Sequence, residues 1–173
     1  MRTLGGESPA GGQRGFTLIE MLMAIGAGAI LMAAASYAIL QVANTNTRNT
    51  LYMTAVRNAQ SAGYWVSIDT EKANSVNADN NSATTDVLQL AWLDTDNLTE
   101  THSSNFTLEG STLYRTIDGA GTMVAEHISN ASATYDATAQ QMAFVVTSEV
   151  SSRNITAKET RTYEISPRPE PGG

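Results

Sequence analysis

The stretch that decides the fold is Gln13-Arg14-Gly15-Phe16-Thr17-Leu18-Ile19-Glu20-Met21-Leu22-Met23. A polar segment ends at Gly15, and an almost uninterrupted apolar run follows from Phe16 to Ala43. The run has about 28 residues and no proline, so as a straight helix it would be about 42 Å long. Because the hydrocarbon core of a bilayer is about 30 Å thick, the run is predicted to span a membrane.

Glu20 is the only charged residue within this apolar run. A charge at the centre of a bilayer costs about 2.5–3.5 kcal/mol on insertion scales, and ionisable residues inside a span are candidates for function. Two interpretations stay open from the residues alone. The carboxylate either reaches back to the membrane interface or awaits a cationic partner.

The segment from Gly15 to Glu20 resembles the processing motif of type IV pilins and type II secretion pseudopilins. The resemblance implies that a prepilin peptidase cuts between Gly15 and Phe16 and that the new N-terminal Phe16 is then N-methylated. It also implies that Glu20 faces the free amine of Phe16 in a neighbouring subunit. In an apolar filament core these two charges compensate each other, whereas a subunit docked out of register leaves both unpaired.

The resemblance also implies an α+β fold, in which one long N-terminal helix packs its second half on a C-terminal antiparallel β-sheet. The sequence agrees, because Leu51, Ala55, Ala59, Ala62 and Val66 recur at helical spacing. We therefore divide the chain into a leader (1–15), a transmembrane or filament-core helix (16–43), its amphipathic continuation (44–73), a β-rich domain (74–166) and a flexible tail (167–173). The polar residues 44–50 are poor helix formers and are expected to weaken the join.

After residue 86 the hydrophobic pattern changes to that of strands. Predicted strands cover Val87–Leu93, Asn105–Glu109, Thr112–Ile117, Ala133–Asp136, Met142–Val150 and Arg161–Ser166. Hairpin turns are expected at Glu109-Gly110-Ser111 and across residues 137–141. The segments Thr107–Arg115 and Met123–Tyr135 resemble the corresponding part of J-type minor pseudopilins and related minor pilins.

The sequence displays no pattern of catalysis. It has two histidines and no cysteine, and it lacks the motifs of zinc proteases, serine hydrolases and nucleotide-binding folds. We expect His102 and His127 to be surface residues, and we expect no cofactor and no metal. Residues 94–100 carry oxygen ligands of the kind calcium prefers, but Leu98 stands where a further ligand is wanted, so a solvated acidic loop is the better interpretation.

The formal net charge of −7 offers no electrostatic footprint for DNA or anionic lipid, so nucleic acid is not an expected partner. Asn-x-Ser/Thr triplets are frequent, but in a chain so rich in these residues we attribute them to chance. They begin at Asn80, Asn97, Asn105, Asn130 and Asn154.

The function predicted from these observations is that of a structural minor pilin or pseudopilin, not an enzyme and without a small-molecule substrate. Its expected partners are other pilin subunits, the prepilin peptidase and methylase, the inner-membrane assembly platform with its ATPase, and the membrane itself. It is expected to be stored in the cytoplasmic membrane as a single-pass protein, with its domain outside the cytoplasm, before it enters a filament. That filament serves protein secretion, pilus priming or DNA uptake.

Two other classes remain to be distinguished. An ordinary signal peptide would be cut after Ala33-Ala34-Ala35, but Glu20 lies inside its apolar region and apolar residues continue past the cut. A single-span anchored binding module would keep the same helix without polymerising. Replacing Glu20 by alanine distinguishes this module from a filament subunit, because only the filament subunit needs the carboxylate.

Overall fold

The structure is a computed structural model that describes residues 15–78, 85–94 and 99–168. Within these ranges the chain forms one helix, α1 (Leu18–Lys72), followed by eight strands. The strands are β1 (Ser75–Asn77), β2 (Asp86–Leu93), β3 (Thr101–Glu109), β4 (Thr112–Ile117), β5 (Ala120–Ala125), β6 (Ile128–Asp136), β7 (Gln141–Ser152) and β8 (Ile155–Ile165). The α+β class and the long N-terminal helix are confirmed.

The chain divides into two compact units, Met1–Asn44 and Thr45–Gly173. The described part of the first unit is the apolar start of α1. The second unit contains the remainder of α1 and all eight strands. Residues 1–14 of the predicted leader (1–15) and the end of the predicted tail (169–173) lie outside the described residues.

The polar segment 44–50 is helical and does not interrupt α1. Threonine hydroxyls in and just after this segment bond back onto the helix: Thr50 Oγ1 donates to the carbonyl of Asn46 at 3.0 Å, and Thr54 Oγ1 donates to that of Thr50 at 3.0 Å. These bonds satisfy side chains that otherwise compete with helical hydrogen bonding. Local propensity alone therefore underestimates the continuity of α1.

The helix ends at Lys72 because the chain turns there to join a sheet. The Ala73 N–H still donates to Asp69 and Thr70 carbonyls at 3.1 Å, whereas the Asn74 N–H donates to the carbonyl of Ala91 at 2.9 Å. The side-chain oxygen of Asn74 in turn accepts a hydrogen bond from the Leu93 N–H at 3.2 Å. These contacts fix the start of β1 beside β2.

The strands form two antiparallel sheets. Sheet A has the order β1-β2-β3-β4-β5, and sheet B has the order β6-β7-β8. The predicted hairpin at residues 109–111 joins β3 to β4, with Glu109 paired to Thr112, and the hairpin predicted across 137–141 joins β6 to β7, with Asp136 paired to Gln141. Both hairpin predictions are confirmed.

Three parts of the strand pattern differ from the sequence prediction. The short strand β1 and the strand β5 were not expected, and β3, β6 and β8 each begin several residues earlier than predicted. Strand β5 opens with Ala120 and Gly121, which are both exposed and have little intrinsic preference for a sheet. Its pairing with β4 through the turn at Asp118-Gly119 holds it in place.

The core of the second unit lies between the two sheets and the second half of α1. The helix contributes small side chains, Ala59 and Ala62 among them, while the sheets contribute the bulk. The largest fully buried apolar residues are Phe106, Phe144, Leu88, Leu90, Leu113, Ile128 and Met142. Small residues on the helix let these large sheet residues approach it closely.

Two side-chain contacts fasten α1 to the sheets. The Ser61 hydroxyl donates to the carbonyl of Val124 in β5 at 2.7 Å. The Tyr163 hydroxyl of β8 donates to the carbonyl of Ala59 at 3.2 Å. A Cβ at Gly63 would overlap the Tyr163 ring as it is placed, so glycine lets the ring pack directly against the helix.

A buried ion pair also joins α1 to sheet A. Asp69 is fully buried and accepts two hydrogen bonds from the Arg115 guanidinium, at 2.6 Å from Nε and 2.5 Å from its terminal nitrogen. The Ser104 hydroxyl donates a third bond to Asp69 at 2.7 Å. The guanidinium also lies 4.6 Å from the centre of the Trp65 ring. The bidentate geometry and the third donor satisfy a carboxylate that would otherwise be costly to bury.

Candidate functional site

The predicted processing site lies just before α1. Gly15, Phe16 and Thr17 have no regular secondary structure, and the helix begins at Leu18. Phe16 is 85% exposed, and among the described residues no atom beyond the chain neighbours of Gly15 lies within 4 Å of the position of a Cβ there. Residues 1–14, which precede the predicted cut, lie outside the described part of the chain.

Thr17 and Glu20 form a reciprocal cap at the start of α1. The Glu20 carboxylate accepts hydrogen bonds from the Thr17 N–H and from its hydroxyl, both at 3.0 Å. The Glu20 N–H in turn donates to the Thr17 hydroxyl at 3.3 Å. This arrangement is a capping box, which satisfies N–H groups that the first turn of a helix leaves without partners.

The capping box is a functional feature that the prediction from sequence overlooked. Its signature, Thr-x-x-Glu immediately before an apolar run, was readable at Thr17 and Glu20. It gives Glu20 a partner within its own chain. Any role of Glu20 toward a neighbouring amine must therefore be separated experimentally from its role as a cap.

The side chains in the apolar half of α1 are exposed. Every described residue from 15 to 50 is exposed. The large apolar side chains in this stretch are 60% exposed or more. They are Phe16, Leu18, Ile19, Met21, Leu22, Met23, Ile25, Ile30, Leu31, Met32, Tyr37, Ile39, Leu40 and Val42.

Such a surface is unfavourable in water, since burial of each large side chain is worth about 1.5–3 kcal/mol. By length and composition α1 can cross a membrane, and it is the one such helix among the described residues. The small residues Ala24 and Gly28, spaced four apart, are exposed too and offer a surface for close helix packing.

The residues considered for chemistry do not assemble into a reaction centre. His127 is exposed, whereas His102 is half-buried and lies between two carboxylates. In the part of the chain that the structure describes, no group of three or more His, Cys, Asp or Glu residues could hold a metal ion. Residues 95–98, the centre of the calcium-like stretch, lie outside the described residues.

The Asn-x-Ser/Thr triplets fall in different environments. Asn105 is partly buried in β3 and donates from its amide to Asp86 at 3.2 Å, while Asn130 and Asn154 are exposed. Asn80 and Asn97 lie outside the described residues. The segment compared with J-type pseudopilins, Thr107–Arg115, is the β3–β4 hairpin.

One comparison with known proteins gave a match. Residues 11–36 match the model of a family described as the prokaryotic N-terminal methylation motif. No curated protein and no solved structure matches the chain. The match covers Gly15, Phe16, Thr17 and Glu20 together with about three quarters of the apolar run, and it supports processing and assembly of the type IV pilin kind. The N-terminal segment thus has the methylation motif of type IV pilin-like proteins, on a fold consistent with theirs.

Proposed function

We propose that this protein is a minor pilin or pseudopilin, a structural subunit that a prepilin peptidase cuts between Gly15 and Phe16 and that is then N-methylated at Phe16. The observation that carries the proposal is the methylation motif over residues 11–36, which includes the start of a 55-residue helix. The exposed apolar half of that helix then serves first as a membrane anchor and later as part of the filament core.

In this proposal the subunit waits in the cytoplasmic membrane with its β-rich domain outside the cytoplasm. An assembly platform and its ATPase draw it into a filament, where Glu20 pairs with the amine of a neighbouring Phe16. The β3–β4 hairpin supports the more specific proposal that the subunit is of the J type. The genes beside its own distinguish a secretion filament from a pilus primer or a DNA-uptake fibre.

The first test is the mass of the N-terminal peptide from protein recovered from membranes of cells that contain a prepilin peptidase. We expect a chain that starts at N-methylated Phe16. A chain that starts at Ser36, or an uncut chain, would contradict the proposal.

The second test separates the two roles of Glu20 in an assembly assay. Glu20→Gln keeps an oxygen that can accept the Thr17 bonds, since glutamine also serves in capping boxes, but it removes the charge. Thr17→Ala removes the hydroxyl from the cap but keeps the charge of Glu20. We expect Glu20→Gln to reduce filament yield more than about tenfold, because a buried charge left unpaired costs about 3–5 kcal/mol and 1.4 kcal/mol is already a tenfold effect.

Thr17→Ala is the matched control in this assembly assay. Provided that its processing is normal by mass, its filament yield should stay within about threefold of the parent, since loss of a cap costs about 1 kcal/mol. If Glu20→Gln assembles like the parent while Thr17→Ala does not, Glu20 acts only as a cap and the pairing proposal fails.

A further inference from the structure

His102 lies between two carboxylates that come from different connections of sheet A. Its Nδ1 is 2.7 Å from Oδ2 of Asp118, in the turn between β4 and β5. Its Nε2 is 3.3 Å from Oδ2 of Asp94, just after the end of β2. Because antiparallel neighbours bring these connections to the same end of the sheet, one side chain at the start of β3 reaches both.

The partners of His102 are themselves held in place. The second oxygen of Asp118 accepts a hydrogen bond from the Ser103 N–H at 2.9 Å, and the Asp118 N–H donates to the Ser103 carbonyl at 3.1 Å. The Asp94 N–H donates to the carbonyl of Glu100 at 2.9 Å. The geometry around the imidazole is thus defined by backbone contacts on both sides.

The charged groups that act on the ring are all acidic among the described residues: Asp94, Asp118 and, at longer range, Glu100. The hydrogen bond to Asp118 raises the pKa of His102 most, and Asp94 adds to the increase against the opposing effect of partial burial. The Ser103 N–H and then the imidazole lower the pKa of Asp118. The ring of Trp92 lies 6.0 Å from the imidazole between centroids, at an interplanar angle of 31°.

We infer that His102 is a pH-sensitive clasp that ties the end of β2 to the β4–β5 turn when both ring nitrogens carry protons. The imidazolium donates one hydrogen bond to each carboxylate. A neutral ring has a single N–H. It keeps that proton on Nδ1, toward the closer Asp118, and then presents the lone pair of Nε2 to Asp94. Deprotonation therefore releases the Asp94 side of the clasp while the Asp118 side stays bound.

The direction of the pH effect follows from the pKa of His102. Because folding raises this pKa above its ordinary value of 6.5, the clasp contributes its full stabilisation below about pH 6.5. That contribution is lost as the pH rises through the folded-state pKa. Domains exposed to a mildly acidic medium are thus held more tightly at this end of sheet A than domains in an alkaline one.

The test follows the two histidines of the full-length chain in detergent micelles, labelled with ¹⁵N at the imidazoles. We expect His102 to titrate above pH 6.5 and to report two protonated nitrogens at pH 6. Asp118→Asn should lower the midpoint of His102, and Asp94→Asn should lower it by less. A His102 midpoint at or below 6.5, or one that Asp118→Asn leaves unchanged, would overturn the inference.

A second readout is the melting temperature of the full-length chain between pH 6.5 and pH 9. The parent should lose stability over this range, and His102→Gln, which cannot change charge there, should lose measurably less. His127→Asn is the matched control, since asparagine tolerates the positive φ of 56° found at this position. It should retain the decline of the parent. An equal decline in His102→Gln and the parent would contradict the clasp.

Discussion

The two halves of α1 contrast in where their side chains find partners. The first half carries large apolar residues that are all exposed, whereas the second half places small residues against the sheets of its own domain. Sheet residues such as Phe106 and Phe144 supply the bulk there, so alanine and glycine suffice on the helix. The first half carries large side chains of its own, and we expect lipid or sister subunits to cover them.

The largest expected effect comes from removing the buried carboxylate of Asp69 from the second half of α1. Asp69→Ala leaves the Arg115 guanidinium without its carboxylate, at a cost of about 3–5 kcal/mol in the free energy of unfolding. Denaturant unfolding of the full-length chain in micelles measures this loss in the free energy of unfolding. Leu31→Ala, in the exposed half, is the control and should leave that unfolding unchanged. An equal loss in the free energy of unfolding in both variants would contradict the contrast between the two halves of α1.

Two glycines, one in each half of α1, test the same contrast. Gly63→Ala forces a Cβ into the ring of Tyr163, and overpacking of this kind costs about 1–3 kcal/mol. Gly28→Ala meets nothing within 4 Å in the chain itself, so it should leave the unfolding of the domain unchanged. Melting temperatures of the two variants compare the effects directly.

The cause of the Gly63 effect can be checked with the ring removed. In a chain that already carries Tyr163→Ala, the further change Gly63→Ala should cost much less, because its clash is gone. A Gly63→Ala variant as stable as the parent would show that the ring can move aside and that close approach is not required.

The sequence predicted local features well. The motif from Gly15 to Glu20 is continuous, so no tertiary information is needed to find it, and the overlooked capping box likewise joins residues only three apart. The hairpin at residues 109–111 was likewise readable from one turn between two short strands. The roles of Gly15, Phe16 and Glu20 in processing and assembly stay predictions, because they depend on partners outside the chain.

Contacts between residues far apart in the sequence could not be predicted from local sequence patterns. The Asp69–Arg115 pair joins positions 46 residues apart, and His102 meets Asp94 and Asp118 only once three strands are in register. The sequence prediction missed the start of β8 because a charged residue, Glu159, occupies a half-buried position there and pairs with Arg161 at 3.1 Å. That polar pair hides the alternation of apolar and polar residues on which strand prediction depends.

The smallest expected effect concerns one hydroxyl on the packed half of α1. Tyr163→Phe keeps the ring against Gly63 but removes the donor to the carbonyl of Ala59, which should cost about 0.5–1.5 kcal/mol. Tyr52→Phe, on an exposed part of α1, is the matched control and should change the free energy of unfolding by less than about 0.5 kcal/mol. A Tyr163→Phe variant indistinguishable from this control would mean that ring packing alone fastens β8 to the helix, since the hydroxyl would then add nothing to the contact.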